Sequence, residues 1–491
     1  MVGNWSTRNL RNCPDNWTTG WRQISDLQTA PKNARVLLVL ILGAVGSIPL
    51  VFLTPPFQVP DEMQHFYRAY ELSEFRIRAE VQNGVAGATL PDSLPRLVKL
   101  SLYTPDGLYY PATPAPITRT LKLASIPLDS STRRFVAFPG SAFYSPLPYL
   151  PQVVGITVGR MMGIGPLYLL YLGRLFNCLA ALGLVGLAVN SMPFAEELVI
   201  LVGLLPMSMF LYASISADAA VIACALVFTA LSFSASTRGI WRPWELVVAA
   251  AAAAVFCSVK PVYVPILLAG VVPELFRPGK AARVIRSHAI LLAVALGVTA
   301  GWLLFARSSM TSPLGERHPS VQMDLVLHHP MLLMHAVVHS LGFIDILNLY
   351  FQIVGEFGWL TVRLRPSVVY LLPLAIFAIV WSLGRRGIVE HTVLPALWHL
   401  ALALASAVLV MTAMYLMWSN VGQDKVTGVQ GRYFIPILVL AGMAAIELAP
   451  RSQRAPSWRS LACIAIFIVM EIVAMDTTII GAFHALSSAH L

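Results

Sequence analysis

Charge is scarce in this 491-residue chain: Asp, Glu, Lys and Arg make up 12%, about half the usage of soluble domains, while the hydrophobic class reaches 57% and mean hydropathy is +0.70. A water-soluble globular domain is excluded. Cysteine is equally thin. The five, Cys13, Cys178, Cys224, Cys257 and Cys463, are scattered, and the longest polar stretch has none, which argues against a disulfide framework or a Cys-type zinc site. A repeat with a period of about 20 to 50 residues is missing, which excludes a solenoid array, and no low-complexity linker divides the chain. The alternating pattern of outer-membrane barrel strands is missing too.

What is present is a series of apolar runs of about 16 to 25 residues, which in a bilayer must pair their backbone groups internally as helices. An all-α polytopic membrane protein is expected. The first 34 residues are polar, carry Arg8, Arg11, Arg22 and Lys32, and lead into an apolar run with no small-residue cleavage pattern behind it, so residues 35–53 read as an uncleaved anchor. The formal charge of +10 comes largely from short basic clusters between apolar runs: Arg238 with Arg242; Arg277, Lys280, Arg283 and Arg286; Arg385 with Arg386; and Arg451, Arg454 and Arg459. Clusters so placed orient spans and meet anionic headgroups, so membrane lipids are expected partners and nucleic acid is not.

Placing the clusters and the N-terminal tail, 1–34, in the cytoplasm sets the topology. Spans are expected at 35–53, about 166–189, 194–212 and 217–235, then as a hairpin of two spans of about 16 residues turning at Lys260-Pro261, then at 289–305, 367–383, 394–418, 433–449 and 460–482. About eleven helices result in one domain, 35–491, with a long external loop, 54–165, after the first and a second external segment at 306–366. SPLPYLPQVVGITVGRMMG, 145–163, is apolar enough to span, but crossing would put the later basic clusters on the wrong side. It reads as a helix lying in the outer interface, as does 328–353.

The ionisable residues without an orienting role then fall on the outer face. PDEMQHFYRAY opens a helix at Pro60, puts Asp61 and Glu62 in the first turn where the dipole favours carboxylates, and sets Asp61, His65 and Arg68 on one face. A capped helix with a surface ion pair has the same spacing. Asp218 lies at the tip between the third and fourth spans, Lys260 at the next tip, and Arg432 with Tyr433 at the outer start of the tenth. Ionisable groups beside a hydrocarbon boundary are costly unless paired or solvated. Two acids with two or three cations suit an anionic, phosphorylated ligand that undergoes transfer at an adjacent carbon. Arg offers phosphate a planar fork, Lys offers a point charge, and a carboxylate can take the proton of an attacking hydroxyl.

In order along the chain, PPFQVPDEMQHFYRAYELS, SPLPYLPQVVGITVGR with LYLGRLFN, SADAAVIACAL, KPVYVPILL, GEFGWL and VQGRYFIP resemble the motifs of the bacterial membrane family called domain of unknown function 2142. That family is grouped with the GT-C superfamily of glycosyltransferases, and the layout is more distantly similar to the aminoarabinose transferases and protein O-mannosyltransferases. The resemblance implies a GT-C-like bundle in the bacterial cytoplasmic membrane, its active site facing the periplasm or exterior. It implies transfer of a sugar, with inversion, from a polyprenyl-phosphate donor to a glycan, lipid or protein acceptor. Asp61 would be the general base with Glu62 its neighbour and Asp218 the second acid, while Lys260 and Arg432 would hold the phosphate. His65, Arg68 and Tyr433 complete the expected substrate-binding set. The chain departs from the family after GWL, where Thr361 and Val362 stand in place of an acid.

Oxygen ligands at Asp61 and Asp218 suit Mg²⁺ or Mn²⁺, and the superfamily holds both metal-dependent and metal-free members. His335 and His339, with His328, His329 and Asp324 nearby, lack the Glu of H-E-x-x-H, so they read as interfacial histidines and no metal residue is assigned. The rival class is a transporter or flippase of a lipid-linked saccharide, which would use the same charges only to bind. Transporters tend to show internal symmetry and mid-membrane charges, whereas here the two halves differ and the charges of interest sit outside.

Overall fold

The computed structural model describes residues 32–103, 120, 122–271, 281–311, 318–385, 393–449 and 457–483. The tail before Lys32, Cys13, the chain after Phe483, and Arg277, Lys280, Arg386, Arg451 and Arg454 lie outside the described residues. In chain order, Lys32–Leu53 (α1) leads through a Pro-rich turn to Glu62–Ser73 (α2), the strands Glu80–Gln82 (β1) and Val85–Pro91 (β2), Ser93–Leu102 (α3), Arg133–Ala137 (β3) and Leu150–Met161 (α4). Then come Pro166–Ser191 (α5), Glu196–Gly203 (α6), Pro206–Tyr212 (α7), Ala217–Arg238 (α8), Pro243–Val259 (α9), a 3-10 stretch Pro261–Leu268, and Ala281–Ala306 (α10). The last part holds Pro330–His339 (α11), Phe343–Gly355 (α12), the short strands Glu356–Phe357 (β4) and Val362–Arg363 (β5), Leu371–Arg385 (α13) and Val393–Met417 (α14). A second 3-10 stretch, Gly431–Ile437, then runs into Leu438–Leu448 (α15), and Ser457–Phe483 (α16) follows.

Among the described residues, seven helices are long and apolar enough to cross a bilayer, or eight if α11 and α12, bent by 74° from each other, form one span. The seven coincide with α1, α5, α8, α10, α14, the second 3-10 stretch with α15, and α16. The other expected spans are short or broken, and proline accounts for much of this. Residues 194–212 divide into α6 and α7 ahead of Pro206, which has no N–H to continue the ladder. After Lys260 the chain carries Pro261 and Pro265 and takes a 3-10 path. α9 has 17 residues and α13 has 15. The chain is mostly helical but not all-α. β1, β2 and β3 form an antiparallel sheet whose first hairpin turns at Asn83 and Gly84, both with positive φ, as Asn-Gly turns do.

The α8 helix is the centre of the molecule. Its span is buried throughout, against 33% for α1 and α14 and 22% for α10, which turn leucines and valines such as Leu37, Val45, Val294 and Leu404 outward as a lipid-facing surface requires. Small residues along α8, from Ala217 through Ala235, let α5 and α9 pack closely on it. At one end of the bundle Lys32 donates to the carbonyls of Asn190 and Met192, Arg35 pairs with Glu196, and Arg238 with Glu245. At the other end the chain leaves α1, enters α2 and α8, and turns at Lys260 and Gly431. The second end carries the candidate site.

Candidate functional site

One buried ion pair builds the platform. Arg174 of α5 donates from Nε to Glu62 Oε1 at 2.8 Å and from a terminal nitrogen to Oε2 at 2.6 Å, both side chains having no exposed surface. Glu62 also accepts the backbone N–H of Phe57 at 3.1 Å and of Ile215 at 3.0 Å. Arg174 gives its remaining hydrogen bonds to the carbonyls of Val51, Thr54 and Pro55, at 3.0, 2.6 and 3.1 Å. Charges buried this deeply persist only when paired and hydrogen-bonded throughout, as these are. The end of α1, the start of α2, α5 and the loop into α8 are thereby tied at one point. Asp61 and Asp218 stand one and three residues from that tie.

Asp61 occupies the N-cap position of α2 in the left-handed region, φ 63°, which Asp tolerates better than most residues. Its carboxylate makes no capping bond. It reaches the guanidinium of Arg432 at 3.2 Å, and Arg432 Nε lies 3.3 Å from Asp218 Oδ2. Lys260 Nζ pairs with Asp218 Oδ1 and sits 4.3 Å above the centre of the Tyr433 ring, a cation–π contact. Acid and base therefore alternate along a row: Asp61, Arg432, Asp218, Lys260. Of the four side chains Asp61 is 43% exposed, against 12% for Asp218, 17% for Lys260 and 6% for Arg432.

Both cations ride on irregular backbone. Lys260 ends α9 just before the first 3-10 stretch, and Arg432 lies in the second, whose Gly431 N–H is accepted by Gln352 Oε1 at 2.8 Å. A Cβ at Gly431 would stand 2.3 Å from the Leu349 carbonyl, so only glycine lets α12 approach this closely. Tyr263 fastens the two stretches to each other by donating to the Tyr433 carbonyl at 2.7 Å. Irregular backbone at membrane depth persists where it is buried in protein or lines a cavity.

His65 Nδ1 lies 2.6 Å from the Tyr149 hydroxyl, with the rings of Tyr144 and Tyr149 each 5.8 Å away. Burial lowers His65 to about 4, so the imidazole is neutral at pH 7, and burial holds the Tyr144 and Tyr149 hydroxyls protonated. Arg68 turns elsewhere. It pairs with Glu71 at 2.5 Å and donates to the carbonyls of Ile77 and Tyr144 at 2.8 and 3.1 Å. Burial raises Glu71 to about 7 against the pull of Arg68.

The fold thus gathers Asp61, Asp218, Lys260, Arg432 and Tyr433 and leaves Glu62 and Arg68 engaged in separate buried pairs, with His65 bordering the cluster as a neutral ring. Asp61, His65 and Arg68 do not act as one face, because α2 starts at Glu62, two residues after Pro60, and Asp61 precedes its helical backbone. Two groups went unnoticed in the sequence. Arg174 stood in plain view as a lone arginine within the apolar run LYLGRLFN, and Glu471 and Asp476 lie inside the last span. Both Glu471 oxygens are buried without a hydrogen-bond partner among the described residues. No three His, Cys, Asp or Glu side chains among the described residues converge on a metal-sized site, and the Arg432 guanidinium contacts both Asp61 and Asp218. A divalent ion at those two acids would first have to displace a fixed positive charge, so the pair as it stands does not fit one.

No characterised protein and no solved structure gives a significant match to the chain. A family model described as a predicted membrane protein, DUF2142, matches residues 46–441, which takes in the end of α1, the whole cluster and the chain as far as the first turn of α15. The chain is an integral membrane protein and belongs to the DUF2142 family.

Proposed function

We propose that this protein is a glycosyltransferase of the GT-C type, moving a sugar from a polyprenyl-phosphate donor to an acceptor on the external face of the bacterial cytoplasmic membrane. The observation that carries the reading is the row Asp61–Arg432–Asp218–Lys260, in which the one well-exposed group is a carboxylate and the less accessible groups include two cations. Asp61 takes the acceptor proton as the oxygen attacks the anomeric carbon. Arg432 and Lys260 neutralise the departing phosphate, and Asp218 holds both cations in register until the donor arrives. Inversion follows from a single displacement. In this reading α6–α7, α9, the stretch after Lys260 and α13 complete a bundle of about eleven spans, and residues 54–165 lie outside.

A second reading, transport of a lipid-linked saccharide, is favoured by Glu471, an acid inside a span with no hydrogen-bond partner among the described residues, since mid-membrane acids recur in transporters. Incubating the purified protein with polyprenyl-phosphate sugars and candidate acceptors separates the two. Release of free polyprenyl phosphate coupled to a glycosylated product supports transfer. Movement of intact lipid-linked sugar across a proteoliposome, with no product, supports transport.

A further inference from the structure

A small pocket opens beside the cluster, lined among others by Pro60, Gln352, Glu356, Leu360, Gln430 and Arg432. Its enclosed space is about the size of one water molecule, so it suits the hydroxyl edge of a ligand and not a whole one. Part of its wall is the tight hairpin of β4 and β5. The hairpin turns through Gly358 and Leu360, both left-handed at φ 63° and 60°, a conformation that leucine holds only where the surroundings impose it. Trp359 pins the turn by donating its indole N–H to the Phe57 carbonyl at 3.1 Å, four residues before Asp61.

Glu356, whose side chain is 4% exposed, accepts a hydrogen bond on Oε1 from Arg363 Nε at 2.5 Å. Its Oε2 is buried with no hydrogen-bond partner among the described residues, and the same holds for Gln430 Oε1. Two residues that line one small pocket thus each carry a buried acceptor oxygen with no donor among the described residues. Buried acceptors are costly when unpaired, so a site holding two of them is built for something that donates. A metal cation is disfavoured there, because Arg432 lines the same cavity and Arg363 already holds the other Glu356 oxygen. Uncharged hydroxyl groups fit.

We propose that this cavity is a hydroxyl-recognition subsite for the transferred sugar, in which Glu356 Oε2 and Gln430 Oε1 accept hydrogen bonds from sugar hydroxyls while Asp61 and Arg432 serve the reacting carbon and the phosphate. The proposal rests on the glycosyl-transfer reading and adds to it the residues that choose the sugar. Sites that hydrogen-bond a substrate hydroxyl discriminate strongly against analogues lacking it, because their polar groups are then left unpaired.

The test measures binding to the full-length protein in nanodiscs, with bare undecaprenyl phosphate and a panel of undecaprenyl-phosphate hexoses and deoxyhexoses as probes. Glu356→Gln leaves the amide oxygen on Arg363 and turns a donor into the cavity; Gln430→Met removes the second acceptor; Arg363→Gln breaks the surface side of the pair and leaves Oε2 in place. The first two are expected to weaken the best sugar-bearing probe at least about tenfold while bare carrier binds as before, and Arg363→Gln to stay near wild type. Unchanged affinity for the sugar-bearing probe in Glu356→Gln and Gln430→Met overturns the subsite and leaves glycosyl transfer standing. So does an equal loss for sugar-bearing and bare carrier, which would mark the residues as structural. A wild-type protein that binds neither probe overturns the glycosyl-transfer reading and the subsite with it.

Discussion

Replacing Glu62 by Gln or Arg174 by Met should damage the fold rather than the chemistry. Seven hydrogen bonds meet at this pair, four accepted by Glu62 and three more from Arg174 to backbone carbonyls, and neither side chain touches solvent. Arg174→Met strips the donors from Glu62 and from three carbonyls and leaves a carboxylate buried without its counter-ion. Glu62→Gln leaves the guanidinium in the same position. Breaking one side of a buried pair costs about 3–5 kcal/mol, which in a domain larger than 200 residues lowers Tm on the order of 5 °C. Removing both charges, Glu62→Met with Arg174→Met, spares the orphaned charge and should cost less than the two single losses together, with a coupling of about 1–3 kcal/mol. The assay is a thermal ramp on detergent-purified protein, read as the fraction surviving size exclusion. Single variants within about 1 °C of wild type, or a double variant as damaged as the sum, would refute the platform.

Other outcomes follow from the same geometry. Arg432→Ala should weaken use of the lipid-phosphate donor and Arg432→Lys recover only part of it, since a point charge cannot replace a fork that now spans Asp61 and Asp218; donor kinetics report this, and full recovery by Lys would count against it. His65 lies at about 4 in the folded chain against 6.5 unfolded, so its neutral form contributes stability that is complete above pH 6.5 and is lost as pH falls toward 4, up to about 3 kcal/mol. His65→Gln should flatten that part of the Tm–pH curve, and an unchanged slope would assign the loss to other groups. Cysteines placed at Ser101 and Ser320 should react with an impermeant reagent from outside the cell, and protection of both would invert the topology.

Much of the site was legible before the structure because its parts are costly where they stand. A chain this short of charge has few reasons to put Asp218, Lys260 and Arg432 beside apolar runs, and the fold brings those three together with Asp61. Spacing could not tell Asp61 from Glu62. Adjacent residues differ by one peptide unit in sequence, yet the left-handed turn at Asp61 sends one carboxylate to Arg432 and the other into the Arg174 pair. Helical periodicity likewise put Arg68 beside Asp61, because a wheel says which residues share a face and not where the helix begins. Hydropathy found the seven long spans but not how the other apolar runs break, since it weighs Pro206, Pro261 and Pro265 as ordinary residues although each removes a backbone donor. The sheet is signalled by Asn83-Gly84, a hairpin turn within the long polar segment after the first span.

If Asp61 is the base of a transfer reaction, as proposed, Asp61→Asn removes the proton acceptor and nothing else, and its turnover is the measurement to make. The substitution keeps shape and leaves the Glu62–Arg174 platform untouched, so the protein should express, fold and bind a polyprenyl-phosphate sugar as wild type does. With the base removed, product formation should fall by about 10² to 10⁴. Retained binding with lost turnover is the predicted result. Near-normal turnover in a variant that still binds donor would contradict the account.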